Sequence, residues 1–183
     1  MSPFLSSVTR CLAALAVLGA VAGARAQADE QAELDRLAAA GEHAQALARV
    51  DKLLEQRPRD AQLRFRKGVL LAEVQRPAEA MDVFAKLAAD YPEIPEPHNN
   101  LAVLHAAAGD YDQARAALDA ALRANPDYAV AHQNLGDIHA QLARRSYARA
   151  LQLDPSNPVV PPKLALLRQL VTPAAPTAPR PSP

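Results

Sequence analysis

The sequence predicts an all-α fold of stacked helical hairpins with a 34-residue period, and three observations predict it. Prolines stand at 58, 92 and 126 and alanines at 46, 80 and 114, each series stepping by 34, and a fixed period of that length is the mark of a repeat architecture. Apolar residues recur at helical spacing within the period, as in Leu101, Leu104 and His105 or Leu135, Ile138 and Leu142. With Gln27, Ala61, Pro95 and Ala129 taken as position 1, the glycines beyond residue 26 fall at two places only: Gly68 and Gly136 at position 8, Gly41 and Gly109 at position 15.

Each element follows from local chemistry. Positions 1–14 read as an amphipathic helix. A turn comes next, "AGEH" at 40–43 and "AGDY" at 108–111, where Gly takes the left-handed conformation that ends a helix at low cost. A second helix then runs to the proline, as in "DQARAALDAALRANP", and Pro, lacking an N–H, closes it. Ala at position 20 and a small side chain at position 8 allow the paired helices a close approach. One hairpin buries one face, so neighbours must stack to complete a core.

These residues resemble the tetratricopeptide repeat, whose pattern places an aromatic at 4, Leu-Gly at 7–8, Tyr at 11, Ala at 20, an aromatic at 24 and Pro at 32. The resemblance covers residues 27–155. The third unit (95–128) fits at Leu101, Ala102, Gly109, Tyr111, Ala114, Leu118, Ala121 and Pro126, and the second (61–94) at Gly68, Ala80, Phe84 and Pro92. The first (27–60) carries Glu33 at position 7 where Leu is expected, which suits a terminal repeat facing solvent, and Lys67 is the same departure in the second unit. The resemblance implies a right-handed helical-hairpin solenoid of about four units with a C-terminal capping helix.

The fourth unit (129–155) is short, because its closing proline is Pro155 where the period requires one at 160. No proline lies between Ala131 and Leu153, and the stripe Leu135, Ile138, Leu142, Ala143, Tyr147, Ala150, Leu151 stays in helical phase. One continuous helix from about 129 to 153 is expected; the alternative is a cramped hairpin bent at Arg144-Arg145-Ser146. Residues 156–171 hold a capping helix, "PPKLALLRQLV", with Leu164, Leu167 and Val171 on one side. The tail 172–183 has five prolines in twelve residues, the composition of a disordered, extended segment.

The first 26 residues read as a cleavable secretory signal. Arg10 precedes an uncharged run from Cys11 to Ala24, and Ala24-Arg25-Ala26 has the small-x-small form of a cleavage site. That run is shorter than the ~20 residues of a spanning helix, so no stable membrane anchor is expected, and the destination is the bacterial periplasm or the exterior. Cys11 opens the run instead of ending it, which excludes a lipoprotein. Cleavage removes the one cysteine and two arginines, leaving 18 basic residues against 20 acidic. The mature chain thus has no thiol for a disulfide or metal and no global pull toward nucleic acid.

The histidines test for a metal. "HNNLAVLH" and "HQNLGDIH" hold His98 and His105, then His132 and His139, in pairs seven residues apart. A seven-residue helical step is about 10.5 Å, whereas zinc holds His nitrogens at ~2.0–2.1 Å. No metal or other cofactor is expected. With His43, all five lie at positions 4, 11 and 17, where the resembled family carries aromatic rings, so imidazole reads as a flat, half-buried substitute. The catalytic inventory is equally thin: Ser146, Ser156, Ser182, Thr172 and Thr177 are the serines and threonines beyond the signal, no Gly-rich phosphate loop is present, and Asp51, Glu55, Glu79 and Asp82 fall on the expected outer, solvated face. No catalytic residue is assigned, and the chain is not expected to be an enzyme.

The family resemblance implies a concave groove lined by first helices at positions 2, 5, 6, 9, 12 and 13. Those positions include Gln62, Phe65, Arg66 and Val69 in the second unit, Asn99, Asn100 and Val103 in the third, and Gln133, Asn134 and Asp137 in the fourth. Asn100 and Asn134 match the position-6 asparagine, whose amide both donates to and accepts from an extended peptide backbone. The clamp that grips C-terminal carboxylates in one subfamily is broken, since its positions hold Gln31, Asp35, Arg66, Glu96 and Asn100. A basic cluster, Arg57, Arg59, Arg64, Arg66 and Lys67, either receives an acidic segment or balances Asp60 and Glu73. The expectation is a periplasmic adaptor that binds a peptide segment of another envelope protein. The alternative is a homodimer built through the apolar end helix and cap.

Overall fold

The structure, a computed structural model, describes residues 27–171. Those residues form the expected all-α repeat: α1 (27–39), α2 (His43–Gln56), α3 (Ala61–Glu73), α4 (Pro77–Asp90), α5 (Pro95–Ala107), α6 (Tyr111–Ala124), α7 (Ala129–Leu153) and α8 (Val160–Val171). The signal-like segment and the Pro-rich tail lie outside the described residues. Contacts divide the chain into one compact unit ending at Arg76, which holds α1 to α3, and a second beginning at Pro77, which holds α4 to α8.

The period of the sequence returns as a period of burial. Ala46, Ala80 and Ala114, at position 20, have no accessible surface. At position 24, Val50, Phe84 and Leu118 are buried, and at position 27, Leu53, Leu87 and Ala121 are as well. Position 8 is buried in the first three repeats, as Leu34, Gly68 and Ala102.

Three first helices also end in one way. The N–H of Glu42 reaches the carbonyl of Leu37 (2.9 Å), that of Arg76 reaches Leu71 (2.8 Å), and that of Asp110 reaches His105 (2.9 Å), each a Schellman closure that satisfies an orphan carbonyl. The residue before each donor has left-handed φ: Gly41 at +72°, Gln75 at +60°, Gly109 at +83°. Gln75 holds that geometry with a Cβ, at a cost on the order of 1 kcal/mol.

In the first unit, ion pairs hold α1 and α3 to α2 alongside the apolar core. Glu33 accepts from Arg49 Nε at 3.1 Å, and Lys67 Nζ lies 2.7 Å from Asp51 Oδ1. Both charged position-7 residues therefore meet a countercharge sixteen residues away in sequence. Asp60 caps α3, its Oδ1 accepting from the N–H of Leu63 at 3.1 Å.

In the second unit, Ala102, Ala114, Leu118, Ala121, Ala131 and Ile138 form one core shared by α5, α6 and α7. The loops that close α6 and α7 are Asx turns: Asn125 Oδ1 accepts from the N–H of Asp127 (3.0 Å), and Asp154 Oδ1 from that of Ser156 (3.2 Å). α7 runs 25 residues without a break. Arg145, on its distal half, pairs with Asp112 of α6 at 2.5 Å. α8 packs back on α7, with Val160 buried and Lys163 Nζ 5.3 Å from the Tyr147 ring.

One sequence expectation needs correction. Position 8 is buried at Gly68 and Ala102, but Gly136 is exposed, and a Cβ placed there would meet nothing within 4 Å. The cause is the missing turn: α7 continues straight, so no second helix folds back over Gly136. Gly136→Ala should therefore stabilise the chain by about 1 kcal/mol through helix propensity, while Gly109→Ala, forced to positive φ, should destabilise it by a similar amount. Opposite shifts of the urea midpoint would show both effects.

Candidate functional site

The candidate residues fall into two sets, one in each unit. On α3, Gln62 is exposed and Phe65, Arg66 and Val69 are half-buried. Arg66 is already engaged, its Nη1 lying 2.6 Å from Asp35 Oδ1 on α1. Two neighbours in the basic cluster are met in the same way. Arg57 pairs with Glu30 and reaches Asp60 Oδ2 at 3.7 Å, and Lys67 takes Asp51. Three of the cluster's five cations are thus met by carboxylates of the same unit. Asp51, expected on a solvated face, is part of that balance. Glu73, expected to balance the cluster, instead lies 2.8 Å from His43 Nδ1.

The second set lies on α5 and α7 and is joined by one bond. Asn134 Nδ2 donates to Asn99 Oδ1 at 2.8 Å, and Asn99 is only 6 % exposed. A buried amide needs such a partner, because an unpaired carbonyl oxygen loses its water without recompense. Asn100, half-buried on the same helix, donates through Nδ2 to the carbonyl of Glu96 at 2.9 Å. Val103 and Val130 are each 49 % exposed, and Glu96, Gln133 and Asp137 are exposed as well. The bond between Asn99 and Asn134 was not legible in the sequence, where the two sit at positions 5 and 6 of successive units and look interchangeable with surface amides.

The position-4 histidines share a structural task. His132 Nε2 lies 2.8 Å from the carbonyl of Pro126, and His98 hydrogen-bonds the carbonyl of Pro92. In both cases the ring ties the start of a first helix to the proline that closed the preceding one. Burial lowers the pKa of His98 below 6.5; the Pro92 bond opposes the shift and the Arg123 charge adds to it. At position 11, His105 is half-buried, but His139 is exposed and does not fill the packing role expected of an aromatic, again because the fourth repeat lacks a returning helix. Among the described residues, no group of three or more His, Cys, Asp or Glu is placed to hold a metal.

Elsewhere on the second unit, the Arg145 guanidinium, by hydrogen bond and then by charge, lowers the pKa of exposed Asp112. Desolvation raises that of Tyr128, with the Glu96 charge adding to it. Among the described residues, no helix is long and apolar enough to cross a membrane.

Two sequence profiles of the tetratricopeptide repeat match the chain, over residues 32–94 and 71–138. The fold is similar to that of several solved structures. A thermophilic TPR protein from Thermus thermophilus is 24 % identical, with a TM-score of 0.57, the match covering 77 % of this chain and 82 % of that one. MamA is 18 % identical with a TM-score of 0.56, over 74 % and 82 % of the two chains. PcrH, in complex with the chaperone binding region of PopD, is 19 % identical with a TM-score of 0.57, over 64 % and 91 %.

Two outcomes follow for the second unit. Asn134→Ala strands a buried carbonyl oxygen and should cost about 1–3 kcal/mol, whereas the double change Asn99→Leu with Asn134→Leu should recover most of that loss; chemical denaturation of the three variants measures both. Because the folded pKa of His98 is lowered, the unfolded state takes up its proton first. The contribution of His98 is therefore full above pH 6.5 and is lost as pH falls through the folded pKa. His98→Phe should flatten that part of the stability profile between pH 7.5 and 5, read as the difference in urea midpoints between the two proteins.

Proposed function

Because the chain belongs to the tetratricopeptide repeat family, whose members generally serve as non-catalytic protein-binding scaffolds, we propose that it is an exported adaptor of the bacterial envelope. In this reading it grips an extended segment of another envelope protein on the face shared by α5 and α7. The observation that carries the reading is the bond between Asn99 and Asn134, which aligns that face, flanked by two valines left half-exposed. An amide ladder beside apolar ridges suits an extended peptide, whose backbone needs donors and acceptors and whose alternate side chains need apolar contact. PcrH, of similar fold, was solved with a segment of another protein.

Other features support binding over chemistry and export over retention. Ser146 and Ser156 are held in local bonds, to the carbonyl of Leu142 (3.0 Å) and to Asp154 (2.7 Å). Export rests on the signal-like first 26 residues.

A second reading, a homodimer, is favoured by the C-terminal end, where Leu153, Val159, Leu166 and Leu170 are 56–73 % exposed. One experiment separates the two. A photo-cross-linking residue at position 100, in place of Asn100, should yield a discrete adduct with a second protein in the exporting cell, identified by mass spectrometry. Silence from position 100, together with a self-adduct from position 167 in place of Leu167, would replace the adaptor with the dimer.

A further inference from the structure

The face shared by α5 and α7 has a layout that narrows the chemistry of its occupant. The bond between Asn99 and Asn134 marks its centre. On α5, Glu96 lies about one turn before Asn99 and Val103 about one turn after it. On α7 the order is reversed, with Val130 before Asn134 and Asp137 after it. α5 and α7 run in the same direction, since each is joined to antiparallel α6. The acids therefore occupy one diagonal of the face and the valines the other. All four of these side chains are exposed.

The charge on this face has one sign. No Lys or Arg lies among the residues of α5 from Pro95 to Ala107, or on α7 before Arg144. No cation among the described residues makes an ion pair with Glu96 or Asp137, whereas Asp112 of α6 has both Arg145 and Arg115. The contrast with α3 is direct, because Arg66 there is held by Asp35. A segment bearing acids would face uncompensated carboxylates. A segment bearing bases would complete two ion pairs.

Spacing follows from helix geometry. Glu96 and Asp137 each stand three residues from the central pair, about 4.5 Å along the axis in opposite directions, and helix axes in contact lie about 8–10 Å apart, giving a diagonal of roughly 13 Å. Extended chain covers that in about four residues at ~3.3 Å each. Residues i and i+4 of a strand point to the same side, with i+2 between them on that side, over the asparagines and between Val103 and Val130.

We propose that this face takes an extended segment of the form basic, any, aliphatic, any, basic, and that it rejects acidic segments. The proposal rests on the reading of this face as the docking surface and specifies the partner's chemistry. The two bases pair with Glu96 and Asp137, and the aliphatic side chain seats between the valines.

The test is fluorescence-polarisation titration of the full mature chain with a labelled Ala-Arg-Ser-Leu-Ser-Arg-Ala peptide, its Glu counterpart in place of Arg, and a version with Asp in place of Leu. The Arg peptide should bind at least about tenfold more tightly than either other peptide, and its affinity should fall on going from low to high salt. The double variant Glu96→Lys with Asp137→Lys, whose exposed positions leave the core untouched, should reverse the preference between Arg and Glu, with a cooperative melting transition showing that it folds. Equal or tighter binding of the Glu peptide overturns the proposal, as does binding to neither peptide. The broader reading fails separately: a protein captured from position 100 whose cross-linked segment carries no such basic pair leaves the docking surface in place and removes the charge rule, while no capture at all removes both.

Discussion

The methyl group at position 20 is the constraint on which the packing rests. Ala46, Ala80 and Ala114 have no accessible surface, so the space around each is filled by neighbouring atoms, and a longer side chain would have to push a helix away. Around so small a residue the cores are filled mainly by leucines such as Leu34, Leu53, Leu71, Leu87 and Leu118, with Val50 and Phe84 one turn after their alanines. That arrangement suits a composition with aromatics at only 4 %. In the second unit Ala114 lies in the core shared by α5, α6 and α7, the two outer helices of which carry the bonded pair Asn99 and Asn134.

The fourth repeat shows what the hairpin normally covers. Five residues fewer before the closing proline leave no room for a turn, and the second half of the repeat runs on as the distal part of α7. Three consequences share this cause. Gly136 loses the neighbour that its position exists to admit. His139 is left in solvent. Arg145 reaches back to Asp112, and α8 supplies packing further along, where Tyr147 meets Lys163.

Polar groups divide along similar lines. In the first unit nearly every charge near the candidate residues has an internal counterpart, as Arg66 has Asp35 and Lys67 has Asp51. Exposed pairs of this kind add little stability individually, but they remove free charge from the surface. In the second unit the buried amide of Asn99 is satisfied, while Glu96 and Asp137 lack cationic partners among the described residues. The chemical opportunity therefore lies on α5 and α7.

By itself the sequence determined what short-range chemistry controls. Helix spacing, the turn at Gly41 and Gly109, the closure at Pro92 and Pro126, and the alanines at position 20 all follow from one or a few adjacent residues, and a period of 34 repeats the signal until chance is excluded. Gln75 marks the limit of that logic: nothing in a glutamine calls for positive φ, and the hairpin imposes it because the same closing bond, from Arg76 to Leu71, must form. Tertiary structure alone decided the pairings between residues far apart in sequence. Glu33 suited a terminal repeat facing solvent and Lys67 was a departure from the pattern, and neither showed its partner until Arg49 and Asp51 stood opposite them. Whether the basic cluster balanced nearby acids or awaited an acidic segment stayed open until Glu30, Asp35 and Asp51 stood beside Arg57, Arg66 and Lys67, and Asn99 looked like any surface amide until it was buried against Asn134. Periodicity says which face a residue occupies; which partner stands across from it depends on how neighbouring helices are spaced and aligned.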